Sequence, residues 1–274
     1  MSTIPTSLTE EQFSIHILPY LSTAKRGFVS KIPLYKIFNL VLYRLHTGCQ
    51  WEQLPITAPA EISWEAVYYH FRKWSRDGSL ERVWQHSVQT IQDKLDLSVL
   101  NLDGSHAIAK KGGEGVAYQG RKRGKTSNIL LVTDHNGYIV ATTDIVPGNH
   151  NDAFELKAHL QSSFKAIKRL GLSINAAHFN ADSAFDILDA RKVCFNHDII
   201  PNIAENKRNR KYAKLGRKRF FNAVIYKDRF ASERTFAWID KFRALLVRFD
   251  IKKVYFMGSH FLAFTLINLR DSLV

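Results

Sequence analysis

Cysteine and negative charge are both scarce in this chain. The two cysteines, Cys49 and Cys194, stand far apart with no CxxC spacing. That excludes a zinc knuckle and a disulfide framework, and it predicts a reducing, cytoplasmic setting in which both thiols pack as small apolar side chains. No segment approaches the roughly 18 uninterrupted apolar residues of a membrane span, and MSTIPTSLTEEQF lacks a basic stretch leading into an apolar one, so neither a span nor an export signal is expected. There is no internal repeat and no low-complexity tract. Against 39 Lys and Arg there are 25 Asp and Glu, a net charge of +14 and a pI near 9.8. An enzyme of small molecules has no general need of this surplus, which points to a polyanionic partner. At 274 residues and 45% hydrophobic, the chain can bury the core of one large domain or two small ones.

Residues 1–95 read as helices and 96–274 as strands alternating with helices, so the domain boundary is expected near 95. Thr9 is a candidate N-cap ahead of Phe13, Ile17 and Leu21. Pro33 opens a second helix carrying Ile37, Phe38, Val41, Leu42 and Leu45 at helical spacing, and Gly48 ends it. Ser63 caps a third helix, SWEAVYYHFRKWSRDG, whose polar side offers Tyr69, His70, Arg72, Lys73 and Arg76. A basic helix in a compact helical unit points to a helix-turn-helix-like DNA-binding domain, with Arg72 and Lys73 as contacts. A fourth helix is expected over 80–95.

The second part opens with a strand at 97–102. Strands at 129–133 and 139–146 follow, joined by Asp134-His135-Asn136-Gly137, a hairpin signal. Asp152 and Glu155 have capping-box spacing for the next helix. A strand at 177–181, a helix at 184–196, a strand at 199–203, a long helix at 229–249 and a helix at 261–269 complete the order. A hairpin meander followed by alternating strands and helices implies a mixed α/β sheet flanked by helices.

Asp103 follows the first strand in LNLDGSH, and Asp182 follows the fourth in AHFNADSAFD. On neighbouring strands these carboxylates stand close, which is unfavourable unless a cation lies between them. Oxygen-only ligands suit magnesium or manganese. Glu233, in YKDRFASERTFAWIDKF, is the candidate third acid. Two ions held by three acids would activate a water or 3′-hydroxyl for phosphodiester displacement. Basic residues Lys110, Lys111, Arg121, Lys122, Arg123 and Lys125 lie in a glycine-punctuated loop. Lys207, Arg208, Arg210, Lys211, Lys214, Arg217, Lys218 and Arg219 precede the third acid. Beside such a site they are expected to grip phosphates, with steep salt dependence. Tyr118, Tyr212 and Trp238 are candidates for stacking on an unpaired base. Asp134 and Asp144 are expected to be solvated hairpin residues, and His106 and His150 to be hydrogen-bonding loop residues.

LNLDGSH, the segment GGEGVAYQGRKRGKTSNILLVTDHNGYIV, PGNHND, ADSAFD and YKDRFASERTFAWIDKFRAL, preceded by LYRLHTGCQWEQLP and SWEAVYYHFRKW, stand in an order that resembles a bacterial insertion-sequence transposase of the DDE class, compact type without an insertion domain. The resemblance implies an RNase H-like catalytic core and an acid triad of Asp103, Asp182 and Glu233 holding two Mg2+ ions, with Mn2+ as a substitute. It implies binding of the element's terminal inverted repeats, strand transfer into target DNA, and a homo-oligomer assembled on double-stranded DNA, with no membrane and no small-molecule substrate. Tyr226, Arg229 and Glu233 match the spacing around the family's third acid, but the family's lysine position holds Asp240 and the lysine comes one place later, as Lys241. A non-catalytic repressor or decayed element, and a stand-alone nuclease of the same fold, stay open at this point.

Overall fold

The computed structural model describes residues 4–23, 30, 32–57, 62–151, 153–206 and 219–273. The chain forms two compact units that do not follow its order. One comprises Met1–Asp93, Ala107–Ser127 and Ala237–Val274, and the other Lys94–His106 and Asn128–Phe236. The first crossing falls beside the expected boundary at 95, but the chain returns twice to the unit it began in.

That first unit holds helices α1 (Glu10–His16), α2 (Leu34–Thr47), α3 (Trp64–Arg76) and α4 (Ser79–Thr90). Their ends are chemically marked. Thr9 accepts from Gln12 N while Gln12 bonds back, a capping box, and Ser63 accepts from Ala66 N. Gly48 closes α2 at φ 69°, a left-handed position that glycine takes without steric cost. The apolar stripes of these helices meet in a core containing Phe38, Phe71 and Trp74, all essentially inaccessible.

The residues from 237 on return to this core. The expected long helix over 229–249 is broken: α8 (Phe230–Ile239) ends in a turn, a short α9 (Arg243–Leu246) follows, and the last helix, α10, runs over Lys253–Asn268. Phe242, fully buried, donates its N–H to the Ile239 carbonyl, so burial of this ring sets the bend where neither glycine nor proline stands. Tyr255 to His260 and Leu262 to Asn268 are all buried. A helix apolar on every side must lie inside, and α10 packs on α3 and α4. Gly258 allows the closest approach, since a Cβ there would collide with Ser75.

The strands are β1 (Val99–Ala109), β2 (Ala117–Gln119), β3 (Gly124–Thr133), β4 (Ile139–Thr142), β5 (Val146–Pro147), β6 (His178–Ala181), β7 (Ile200–Ile203) and β8 (Val247–Arg248). The described residues form one eight-stranded sheet in the order β2-β3-β1-β6-β7, with β4 and β5 on β3 and β8 on β1. β6 and β7 run parallel to β1 and to each other in turn, whereas β4 is antiparallel to β3, giving a mixed sheet. Between them come α5 (Leu156–Arg169), which packs on β4 and α6 (Leu188–Asn196), and then α7 (Ala223–Tyr226) against β6 and β7. A hairpin, a central first strand, and two parallel strands added beyond it through helices make the mixed sheet that the pattern predicted, in the RNase H-like arrangement that the resemblance implied. β1 runs six residues past Asp103, farther than expected. Glu155, at φ 49°, precedes α5 without a side-chain cap, and its expected partner Asp152 lies outside the described residues. Among the described residues no helix is long and apolar enough to cross a membrane.

Candidate active site

The β1–β6 register ends at Leu102 opposite Ala181, so Asp103 and Asp182 directly follow the last paired residues of two adjacent parallel strands. Asp103 lies within β1 rather than after it, and the pairing stops instead because β6 ends. The Asp182 carboxylate accepts the N–H of Ser183, turning the chain into a 3-10 turn at Ser183–Phe185. Asp103 Oδ1 accepts from Gly104 N at 2.9 Å, and its Oδ2 meets Arg229 Nη2 at 3.3 Å. Arg229 Nη1 donates to the Tyr226 hydroxyl at 2.9 Å. Burial holds the Asp103 carboxyl above its ordinary range and the Asp182 charge pushes it the same way, against the Gly104 N–H and the Arg229 guanidinium. Arg229 binds Asp103 directly and also feels the charge of Asp182 beside it, and this oxygen-only pair of donors fits a hard divalent cation.

Glu233 lies about one helical turn beyond Arg229, on α8, and is exposed. Among the described residues no group of three His, Cys, Asp or Glu side chains stands close enough to hold a metal. The structure therefore brings Asp103, Asp182, Arg229 and Tyr226 together without drawing Glu233 into a closed triad. Lys241 is exposed in the turn past the end of α8, off the helix on which a small rotation would have placed it.

The other basic residues divide into two kinds. Arg121, Lys122 and Arg123 are exposed at the tight turn joining β2 to β3, where Arg123 takes φ 50° and its N–H bonds to the Gly120 carbonyl. Lys125 is exposed on β3 opposite Tyr118, itself 61% exposed. Arg72 and Lys73 are partly tied inward, Arg72 Nε to the Tyr255 hydroxyl at 3.0 Å and Lys73 Nζ to the Ser22 carbonyl at 3.2 Å. Arg208, Arg210 and Lys211, with Tyr212, lie outside the described residues. Arg219 is bound at 2.6 Å to Asp186, which also takes Arg191 Nε at 2.9 Å and the N–H of Asn206 at 3.1 Å. Trp238 lies under the Arg270 guanidinium, 4.1 Å from its ring centroid.

One expectation is reversed. Asp134 is completely buried, not solvated. Its carboxylate accepts the N–H groups of Tyr138 at 2.8 Å and Asp96 at 2.9 Å, joining the hairpin turn to the segment that leads into β1. Burial raises its pKa to about 6 in spite of those bonds. Cys194 is buried as expected, its thiol pushed up to about 12, while Cys49 is half-buried. Asn101 and Asn180 stand two residues before the aspartates, and the repeated Asn-X-Asp of NLD and NAD is their one signal in the sequence.

Residues 102–268, more than half of the chain, match the model of a family described as DDE superfamily endonuclease. Residues 8–84 match the model described as "Putative transposase of IS4/5 family". No curated protein matches the chain. Similar solved structures include the Mos1 transposase paired-end complex with left transposon end, at 12% identity and TM-score 0.30, covering 92% of this chain and 81% of that one. The Mos1 mariner paired end complex with Mn has 14% identity and TM-score 0.29, covering 91% of this chain and 82% of that one.

Proposed function

Because the chain belongs to the DDE superfamily of endonucleases and its first residues match IS4/5-family transposases, it is a DNA-cleaving transposase, and we propose that it cuts at the terminal inverted repeats of its own element and joins the freed 3′-hydroxyls to target DNA. The observation that carries this reading is the pair of carboxylates at one end of the β1–β6 register, with Arg229 bound to Asp103. Asp103 and Asp182 would hold divalent ions, Mg2+ or Mn2+, with Glu233 as the third ligand to a pair. Ions held there would supply the activation of the attacking water or hydroxyl and the stabilisation of the leaving oxygen.

The chain's own side chains do the positioning. Arg229, with Tyr226 on its other guanidinium nitrogen, holds the backbone phosphate beside the cut bond and neutralises Asp103 when no DNA is bound. Arg121, Lys122, Arg123 and Lys125 grip the duplex from an exposed hairpin tip, and Arg208, Arg210, Lys211 and Lys241 add phosphate contacts. Residues 1–95, through Arg72 and Lys73 of α3, bind the element ends, and 96–274 carry the chemistry. Joining two ends requires a homo-oligomer on double-stranded DNA.

The test is incubation of the purified protein with a supercoiled plasmid carrying the element ends, in Mg2+, Mn2+ or EDTA, beside Glu233→Gln. Cuts and joined products confined to the ends, dependent on metal and absent in the variant, are expected. Full activity of Glu233→Gln, or binding without cleavage in either metal, would overturn the reading.

A further inference from the structure

Side chains two apart on a strand share a face, so Asn101 lies on the face of Asp103, and Asn180 on the face of Asp182. The register sets Asn101 against Asn180, and Asn180 against Asn202 of β7. All three are fully buried. Asn180 Nδ2 donates to Asn101 Oδ1 at 2.9 Å, and Asn202 Nδ2 donates to Asn180 Oδ1 at 2.7 Å. A buried amide is costly unless its groups are paired, and aliphatic side chains would fill these strand positions without that demand. Three amides in a row therefore call for a purpose beyond filling the core.

The remaining bonds of the row leave the sheet. Asn180 Nδ2 also donates to the Ile225 carbonyl at 2.8 Å. Asn202 Nδ2 donates to the Asn222 carbonyl at 3.0 Å, and Asn202 Oδ1 accepts the Asn222 N–H at 2.7 Å. The Asn222 side chain in turn accepts from Val224 N at 2.9 Å and Ile225 N at 3.2 Å, capping α7. None of the four residues of α7 is buried. Apolar burial does not fasten this helix; amide hydrogen bonds do. The fastened segment ends in Tyr226 and leads directly to Arg229.

We propose that Asn180, Asn202 and Asn222 are positioning residues for the cleavage reaction: the amide row clamps the α7 segment to β6 and β7, and so sets Tyr226 and Arg229 against Asp103 and Asp182. They touch no DNA and act through Arg229. The proposal rests on the function given above, but its physical half, the clamp, is measurable without any reaction.

The experiment compares wild type, Asn202→Ala and Asn222→Ala by amide hydrogen exchange and by single-turnover cleavage of pre-bound element ends. Exchange at 223–229 is expected to rise at least tenfold in Asn202→Ala while β3 and β4 keep their protection. Cleavage should fall about 10- to 100-fold, since displacing a reacting group by about 1 Å costs on that order. Affinity for the ends should not change. Because both changes act through one clamp, the double variant should be no slower than the worse single one. Asn222→Ala sits at a half-buried site outside the sheet and supplies the same local readout if Asn202→Ala does not fold. Wild-type exchange at 223–229 in the variants overturns the clamp, as does a uniform rise through the strands. If wild-type protein cuts nothing, the function reading fails while the exchange result still decides the clamp.

Discussion

Both units bury polar side chains, but the unit containing both chain ends packs them singly, as with Arg248 and Asn268, into a core rich in large aromatic rings, whereas the unit carrying the acids lines three buried amides up in one hydrogen-bonded row. Phe38, Phe71, Trp74, Phe242, Phe256 and Phe264 fill the first, and every tryptophan of the chain lies in it. The second encloses Asn101, Asn180, Asn202 and Asp134 at no exposure, alongside Phe164 and Phe179. Apolar packing tolerates small displacements and yields stability; hydrogen-bonded amides fix direction and distance at a desolvation cost. Mutations in the first unit should therefore be felt mainly in stability, and those around the acids mainly in rate.

The largest expected effect separates the two most sharply. Asp182→Asn removes a ligand charge without changing shape, and loss of several kcal/mol of transition-state stabilisation corresponds to about 10³-fold or more in cleavage rate. Its thermal unfolding and its affinity for DNA ends should stay close to wild type; a variant that unfolds instead would give Asp182 a scaffolding role. Trp74→Ala should do the reverse, costing about 3–5 kcal/mol in urea unfolding followed by tryptophan fluorescence, and at temperatures where it stays folded its cleavage rate should be near that of wild type. Gly258→Ala, which forces a Cβ against Ser75, should cost a smaller 1–3 kcal/mol or so, with partial relief by Ser75→Gly.

Asp134 supplies a pH test. Its carboxyl titrates near 6 in the fold and near 3.8 in the unfolded chain. Between these values the unfolded state has released the proton that the folded state still binds, so this contribution to stability is complete below pH 3.8 and is lost as pH rises through 6. Relative to Asp134→Asn, wild type should lose at most about 1.4 kcal/mol per pH unit across that window. A flat difference would mean that the carboxylate is not buried. The smallest effect belongs to the exposed hairpin tip. Each of Arg121→Ala and Lys122→Ala should lower the slope of log affinity against log salt by about 0.9 and leave the unfolding curve unchanged.

The sequence carried much of this at short range. Thr9, Ser63 and Gly48 mark helix ends by local chemistry, and Asn136-Gly137 marks the hairpin; all four act where they were read. Asp103 and Asp182 were legible because each ends an apolar strand run. What failed depended on distant partners. Nothing local ends α8 at Ile239, since the bend answers to the burial of Phe242, and Lys241 consequently leaves the helix. The burial of Asp134 depends on Asp96, far back in the chain. The all-apolar α10 announced that it is buried but not which helices bury it. The amide row needed the strand register before three separate asparagines became one feature.

Asp103 and Asp182 are proposed above as the cation-binding centre of this transposase. Electron paramagnetic resonance titration of Mn2+ into wild type and Asp182→Asn, with and without element-end DNA, tests it most directly. Saturable binding in wild type, strengthened by DNA, and its loss in the variant are expected. Equal Mn2+ binding by both proteins would contradict it.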